Sequence, residues 1–143
     1  MMKTEKTRST WQGGMRVEGQ AGAHILNIDQ LGDMGGTDTG PNPMQYLLIS
    51  LGSCVCTVAA IVARQQRVDL RGFSIEVEGD YDLDFIMGKK QDGRSGFTEI
   101  REKIFIDADL NEAEKVAFYE EIHRRCPVTG SLLNTTTVRY EVS

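Results

Sequence analysis

Three thiols carry the reactive potential of this sequence: Cys54, Cys56 and Cys126. A thiol either packs as a small hydrophobe or, once ionised, attacks as a nucleophile. Cys54 falls in an apolar run with Leu47, Leu51 and Val58, where packing alone would explain it. Cys56 follows two residues later, about 200° around a helix, so the two cannot grip one metal ion from a regular helix. Packing is the simplest reading of Cys56. Cys126 has a different setting, after His123, Arg124 and Arg125 and before Pro127. Neighbouring cations favour a thiolate. His123 shares its helical face three residues earlier. A Cys–His dyad needs a third group to orient the imidazole, and none is evident. Zinc would need His24 or His123 with the thiols, yet no CxxC or HxxxH spacing occurs.

The elements around these residues can be read from periodicity. Asn42 to Gln66 places Met44, Leu47, Leu48, Leu51, Val55, Val58, Ala59 and Val62 three and four residues apart, the spacing of one wide helical stripe. Pro43 suits its first turn. Such a helix is about 37 Å long, enough to cross a domain of this size. No charge interrupts it before Arg64, so it belongs at the centre of a fold or of a dimer. Arg8 to Val17 and Ala23 to Asp29 read as a hairpin about a turn at Glu18 to Gly22. Leu31 to Gly40, with four glycines, is a loop able to move or to shape a pocket wall.

Phe73 to Phe85 alternates as a half-buried strand, with Phe73, Ile75 and Val77 inward. After a polar loop at Gly88 to Gly96, Thr98 to Leu110 alternates again, with Ile100, Ile104, Ile106 and Ala108 inward. Asn111 caps a helix to Arg125, with Glu114 as its capping-box partner. Pro127 ends that helix. Val128 to Leu133 forms a further turn, and Asn134 to Val142 a last strand. The predicted order is β-β-α-β-β-α-β, an α+β fold of antiparallel sheets packed on the apolar helix within a single domain, residues 1–143.

Composition sets outer bounds. The net charge of −5 offers no basic stripe for nucleic acid. No run reaches the ~18 uninterrupted apolar residues expected of a membrane span. The first eight residues lack the apolar stretch of a signal peptide, so the expected location is cytoplasmic. An odd number of cysteines at this length does not read as a disulfide scaffold. No GxGxxG, GxxxxGK[ST] or GxSxG occurs.

Two strings point further. Gly40-Pro41-Asn42-Pro43 leads into the long helix and on to Gly52-Ser53-Cys54, and Cys126-Pro127-Val128 follows some 70 residues later. Together with the strand order, they resemble the OsmC/Ohr family of osmotically inducible and organic hydroperoxide resistance proteins. That resemblance implies an OsmC-like fold, an intertwined homodimer and active sites at the subunit interface. It implies Cys54 as peroxidatic thiol and Cys126 as resolving thiol, reducing an organic hydroperoxide at the expense of an external dithiol. No metal and no cofactor are expected.

The family peroxidases carry an arginine directly after a Gly-Gly pair. Here Gly13-Gly14-Met15-Arg16 places Arg16 one position late, and it is the candidate cation beside the thiol. Their glutamate, ten residues before the helical cysteine, is replaced by Met44, with Gln45 beside it. Neither forms a charge-assisted pair with arginine. Met44 fits the broader OsmC-like branch. The competing expectation is therefore a small hydrophobic ligand-binding or redox-sensing protein on the same fold.

Overall fold

A computed structural model describes all residues, Met1–Ser143, and the chain forms two compact units, Met1–Leu47 and Leu48–Ser143. The first holds strands β1 (Arg8–Trp11), β2 (Val17–Ala21) and β3 (His24–Ile28) in an antiparallel sheet of order β1-β2-β3. The expected two-strand hairpin is thus a three-strand meander. The extra turn lies at residues 12–16, where Gly13 (φ 94°) and Gly14 (φ 56°) take left-handed conformations. Gln12 N–H donates to Arg16 C=O at 2.9 Å and closes it. Glu18 to Ala21, expected as turn, is strand; the chain reverses at Gly22 (φ 58°) instead.

The glycine-rich segment after β3 is pinned. Asp29 is fully buried and accepts from Gln30 N–H (2.8 Å), Thr37 N–H (3.2 Å) and Oγ1 (2.7 Å), and Thr39 N–H (3.1 Å) and Oγ1 (2.7 Å). These donors hold its carboxyl far below the usual carboxylate range. A Cβ at Gly36 would stand 1.9 Å from Gln30 C=O, and one at Gly40 2.3 Å from Asn27 C=O, so the loop closes only on glycine.

Helix α1 (Pro43–Gln66) begins at Asn42, whose Oδ1 accepts from Gln45 N–H while its own N–H donates to Gln45 Oε1, both at 2.9 Å. This is a capping box, and it occupies the Gln45 side chain. Along α1, Leu51, Val55, Val58, Ala59 and Val62 are buried. By length and composition α1 could cross a membrane, with a mean hydropathy of 2.2 over 18 residues. The expectation of no such span counted only uninterrupted apolar residues; within this chain Leu51, Val55, Val58, Ala59 and Val62 of α1 join the core cluster.

In the second unit β4 (Gly72–Asp80) pairs antiparallel with β5 (Glu99–Asp107), Ile75 opposite Ile104 and Phe73 opposite Ile106. Their inner faces meet the core of α1, while outward Glu78 and Glu76 face Arg101 and Lys103. The predicted strand to Phe85 stops at Asp80. Asp82 caps a one-turn helix, α2 (Leu83–Ile86), by accepting from Asp84 N–H, so local capping defeats the continuing alternation. Helix α3 (Glu112–Arg125) starts with the expected Asn111–Glu114 capping box and buries Phe118 and Ile122. Helix α4 (Pro127–Leu133) follows at once.

The last predicted strand does not form. Beyond Asn134 no regular structure occurs, and Val138, Tyr140 and Val142 are exposed. The alternating pattern is present, but a strand needs an edge to pair with, and none takes it within this chain.

Candidate functional site

The second unit brings two of the three thiols together. Cys54 lies on α1 beside the core stripe, partly buried, and Cys126 occupies the elbow between α3 and α4 at 2% exposure. The elbow is a consequence of Pro127, which has no N–H and forces the preceding residue into extended conformation (Cys126 ψ 115°). Cys126 N–H still reaches Ile122 C=O at 3.0 Å, ending α3, while its sulfur accepts from Thr129 N–H at 3.5 Å, starting α4. One residue thus caps both helices and turns its sulfur inward.

Cys54 packs against the buried cluster that contains Cys126, and each thiol influences the ionisation of the other. Burial pushes the Cys54 thiol up; the Val128 N–H opposes this and Cys126 adds to it. Cys126 is driven the other way. Burial would raise it, but the Thr129 side chain and N–H, the Cys54 thiol and the Val128 N–H together bring it below the usual thiol value. The cations expected to do this are engaged elsewhere. Arg124 pairs with Glu121 at 2.8 Å, Arg125 donates to Gln65 Oε1 at 2.8 Å, and the His123 ring tilts against Tyr119. Hydrogen-bond donors, not cations, lower the Cys126 thiol.

Cys56 is half-buried, and burial raises its thiol as well. Arg16 lies at the end of the 12–16 turn, exposed and in no salt bridge, rather than on a strand. Met44 is half-buried in the first turn of α1. His24 is exposed on β3, and no three His, Cys, Asp or Glu side chains gather where a metal could be held.

Three polar features escaped the sequence reading. Glu102 shares the inner face of β5 with Ile100 and Ile104, where it accepts a short hydrogen bond from Tyr119 Oη. Its even position in the alternating strand was the available signal. Burial and the Glu102 carboxylate push the Tyr119 hydroxyl far above its usual pKa. Thr129 is 5% exposed, and its Oγ1 has no hydrogen-bond partner. The third is Asp29. A depression of about 950 Å³ lined by Phe73, Phe105, Val116 and Tyr119 contains neither thiol.

The sequence pattern of the OsmC-like protein family matches residues 36–141. The chain belongs to the OsmC-like family. An OsmC-like protein from Mycoplasma pneumoniae superposes with a TM-score of 0.82 at 20% identity, covering 93% of this chain and 89% of that one. The organic hydroperoxide resistance protein OsmC from Legionella pneumophila gives 0.67 at 20% identity, over 92% and 90%. An organic hydroperoxide resistance protein from Elizabethkingia anophelis gives 0.66 at 14%, over 92% and 89%. No curated protein matches the chain significantly in sequence. Membership of the OsmC-like family accounts for the α+β fold with small antiparallel sheets.

Proposed function

We propose that this OsmC-like protein is a thiol peroxidase that reduces organic hydroperoxides to alcohols. The observation that carries this reading is the packing of Cys54 against the buried cluster that holds Cys126 at the elbow. The names of the Legionella and Elizabethkingia structures agree with it.

In the proposed cycle the Cys54 thiolate attacks the terminal peroxide oxygen. The O–O bond breaks, the alkoxide leaves and takes a proton to give the alcohol, and Cys54 becomes a sulfenic acid. Cys126 then attacks that sulfur, forming the Cys54–Cys126 disulfide and releasing water. An external dithiol returns two electrons and two protons by exchange. Burial holds the Cys54 thiol up, so the cycle calls for a cation at the site, and Arg16 is proposed for it with Met44 in the place of a carboxylate partner.

A homodimer belongs to the same proposal. Only 39% of the most apolar stretch of α1 is buried within one chain, and Leu47, Ile49 and Ile61 are exposed. A second copy would cover them. Cytoplasmic location is proposed with the reducing dithiol in mind.

The test is peroxide-dependent loss of thiols. Cumene hydroperoxide should consume both Cys54 and Cys126 in the wild type and neither in Cys54→Ser. Cys126→Ser should leave a sulfenic acid on Cys54 that dimedone traps. No consumption above background by the reduced wild type with a dithiol would end the proposal. One observation favours a ligand-binding reading instead: an apolar cavity of about 420 Å³ in the first unit, lined by Val17, Leu26, Ile28, Pro43 and Tyr46. Native mass spectrometry showing a retained hydrophobic ligand together with unreactive thiols would select it.

A further inference from the structure

The disulfide of the proposed cycle has two sulfurs, and an incoming thiolate must choose between them. The structure makes them unequal. Cys54 is partly exposed on α1, whereas Cys126 is 2% exposed and accepts from Thr129 N–H. The Oγ1 of the same Thr129 is buried with no hydrogen-bond partner, in a residue 95% enclosed. A buried hydroxyl left short of a hydrogen bond is costly, and an anionic sulfur within its reach would satisfy it.

We infer that the Cys54–Cys126 disulfide is reopened by attack on Cys54, with Cys126 leaving as a thiolate received by the N–H and hydroxyl of Thr129. This rests on the peroxidase reading only for the pairing of the two cysteines. The thiolate of a dithiol forms a bond to Cys54 Sγ while the Cys54–Cys126 bond breaks, and the electron pair goes to Cys126 Sγ. The second thiol of the reductant then attacks its own sulfur in the mixed disulfide. Cys54 is released, the reductant closes as a cyclic disulfide, and two protons return to the pair. Two physical preferences agree. Exchange is faster at the accessible sulfur, and faster when the departing sulfur is the better-stabilised anion. Cys126 is that anion, since its donors hold its pKa down while burial holds Cys54 up.

Thr129 is therefore assigned a part in turnover that packing alone would not require. Thr129→Val keeps the shape and removes a buried hydroxyl that has no partner, so its thermal midpoint should match or exceed that of the wild type. Its disulfide should nonetheless open roughly threefold to tenfold more slowly, the loss of one hydrogen bond to a developing anion. Thr129→Ser should restore the rate.

The experiment forms the disulfide with diamide rather than peroxide. The oxidised protein then receives 2-mercaptoethanol and is quenched with acid after short intervals. Free thiols are alkylated and the peptides mapped. The expected result is the mercaptoethanol adduct on Cys54 and the alkyl group on Cys126. An adduct mainly on Cys126 would overturn the inference, as would a wild-type opening rate in Thr129→Val. Failure of diamide to form the disulfide would overturn both this inference and the peroxidase reading. Opening at Cys54 in a protein that consumes no hydroperoxide would sink the peroxidase reading alone and leave this one standing.

Discussion

Ile122 should be the residue on which the thiol elbow rests, and replacing it tests the packing directly. Its side chain is fully buried among Val55, Val62 and Phe118, and its carbonyl accepts the Cys126 N–H at 3.0 Å. Ile122→Ala removes three carbons, about 2.4 kcal/mol of transfer free energy at ~0.8 kcal/mol each. The enclosing elements cannot fully close the space, and a cavity contribution brings the loss to about 3–4 kcal/mol. With a urea slope of about 2 kcal/mol per molar, the midpoint should fall by about 1.5–2 M. Ile122→Val, one carbon smaller, should cost about 0.5–1.5 kcal/mol and lower the midpoint by well under 1 M. The assay is urea unfolding followed by far-ultraviolet circular dichroism at one fixed protein concentration. Native Ile122→Ala should still close the proposed Cys54–Cys126 disulfide under diamide, because Ile122 supports the elbow and takes no part in the proposed chemistry. A midpoint loss below about 0.5 M for the alanine variant would refute the enclosure on which the placement of Cys126 depends.

Three further outcomes are expected. Asp29 holds its carboxyl below the unfolded value, so its contribution to stability is complete above about pH 4 and is lost as acid approaches the folded pKa; acid unfolding of Asp29→Asn should be flatter than wild type in that range and start from a lower neutral stability. Asn42→Ala removes the cap of α1 and should cost about 0.5–2 kcal/mol by thermal unfolding, with Gln45→Ala costing less because only the reciprocal bond goes. Tyr119 is held protonated, so one of the four tyrosines should lag in an alkaline absorbance titration of the folded protein, and Tyr119→Phe should remove the lag. The sign for stability follows: a raised folded pKa means that stability falls as pH climbs through the unfolded tyrosine range, and less steeply in the variant.

Much of the scaffold was legible because it is local. The 3.6-residue stripe found α1 and most of its buried face, and the Asn111–Glu114 spacing found the start of α3. Pro127 marked the elbow, because a missing N–H and a steric clash need no partner to act. Inward Ile100, Ile104 and Ile106 followed from the pleat alone. The errors have local causes too: Asp82 offered a cap that the alternation did not reveal, and Gly13 and Gly14 turned a strand that looked continuous. Asn134 to Val142 carried a strand pattern without an edge to complete it.

The sequence by itself determined which residues had reactive side chains, which stretches were helical, and, through two short strings, the family. It could not determine how far apart two thiols 72 residues distant in the chain would stand, or what would surround them. The structure packed Cys54 against the cluster that holds Cys126 and supplied the Thr129 N–H as a donor in place of the cations next door. That decision is tertiary because a side chain's pKa answers to whatever lies within a few ångströms of it, and sequence neighbours on a helix surface, such as Arg124 and Arg125, are free to turn elsewhere.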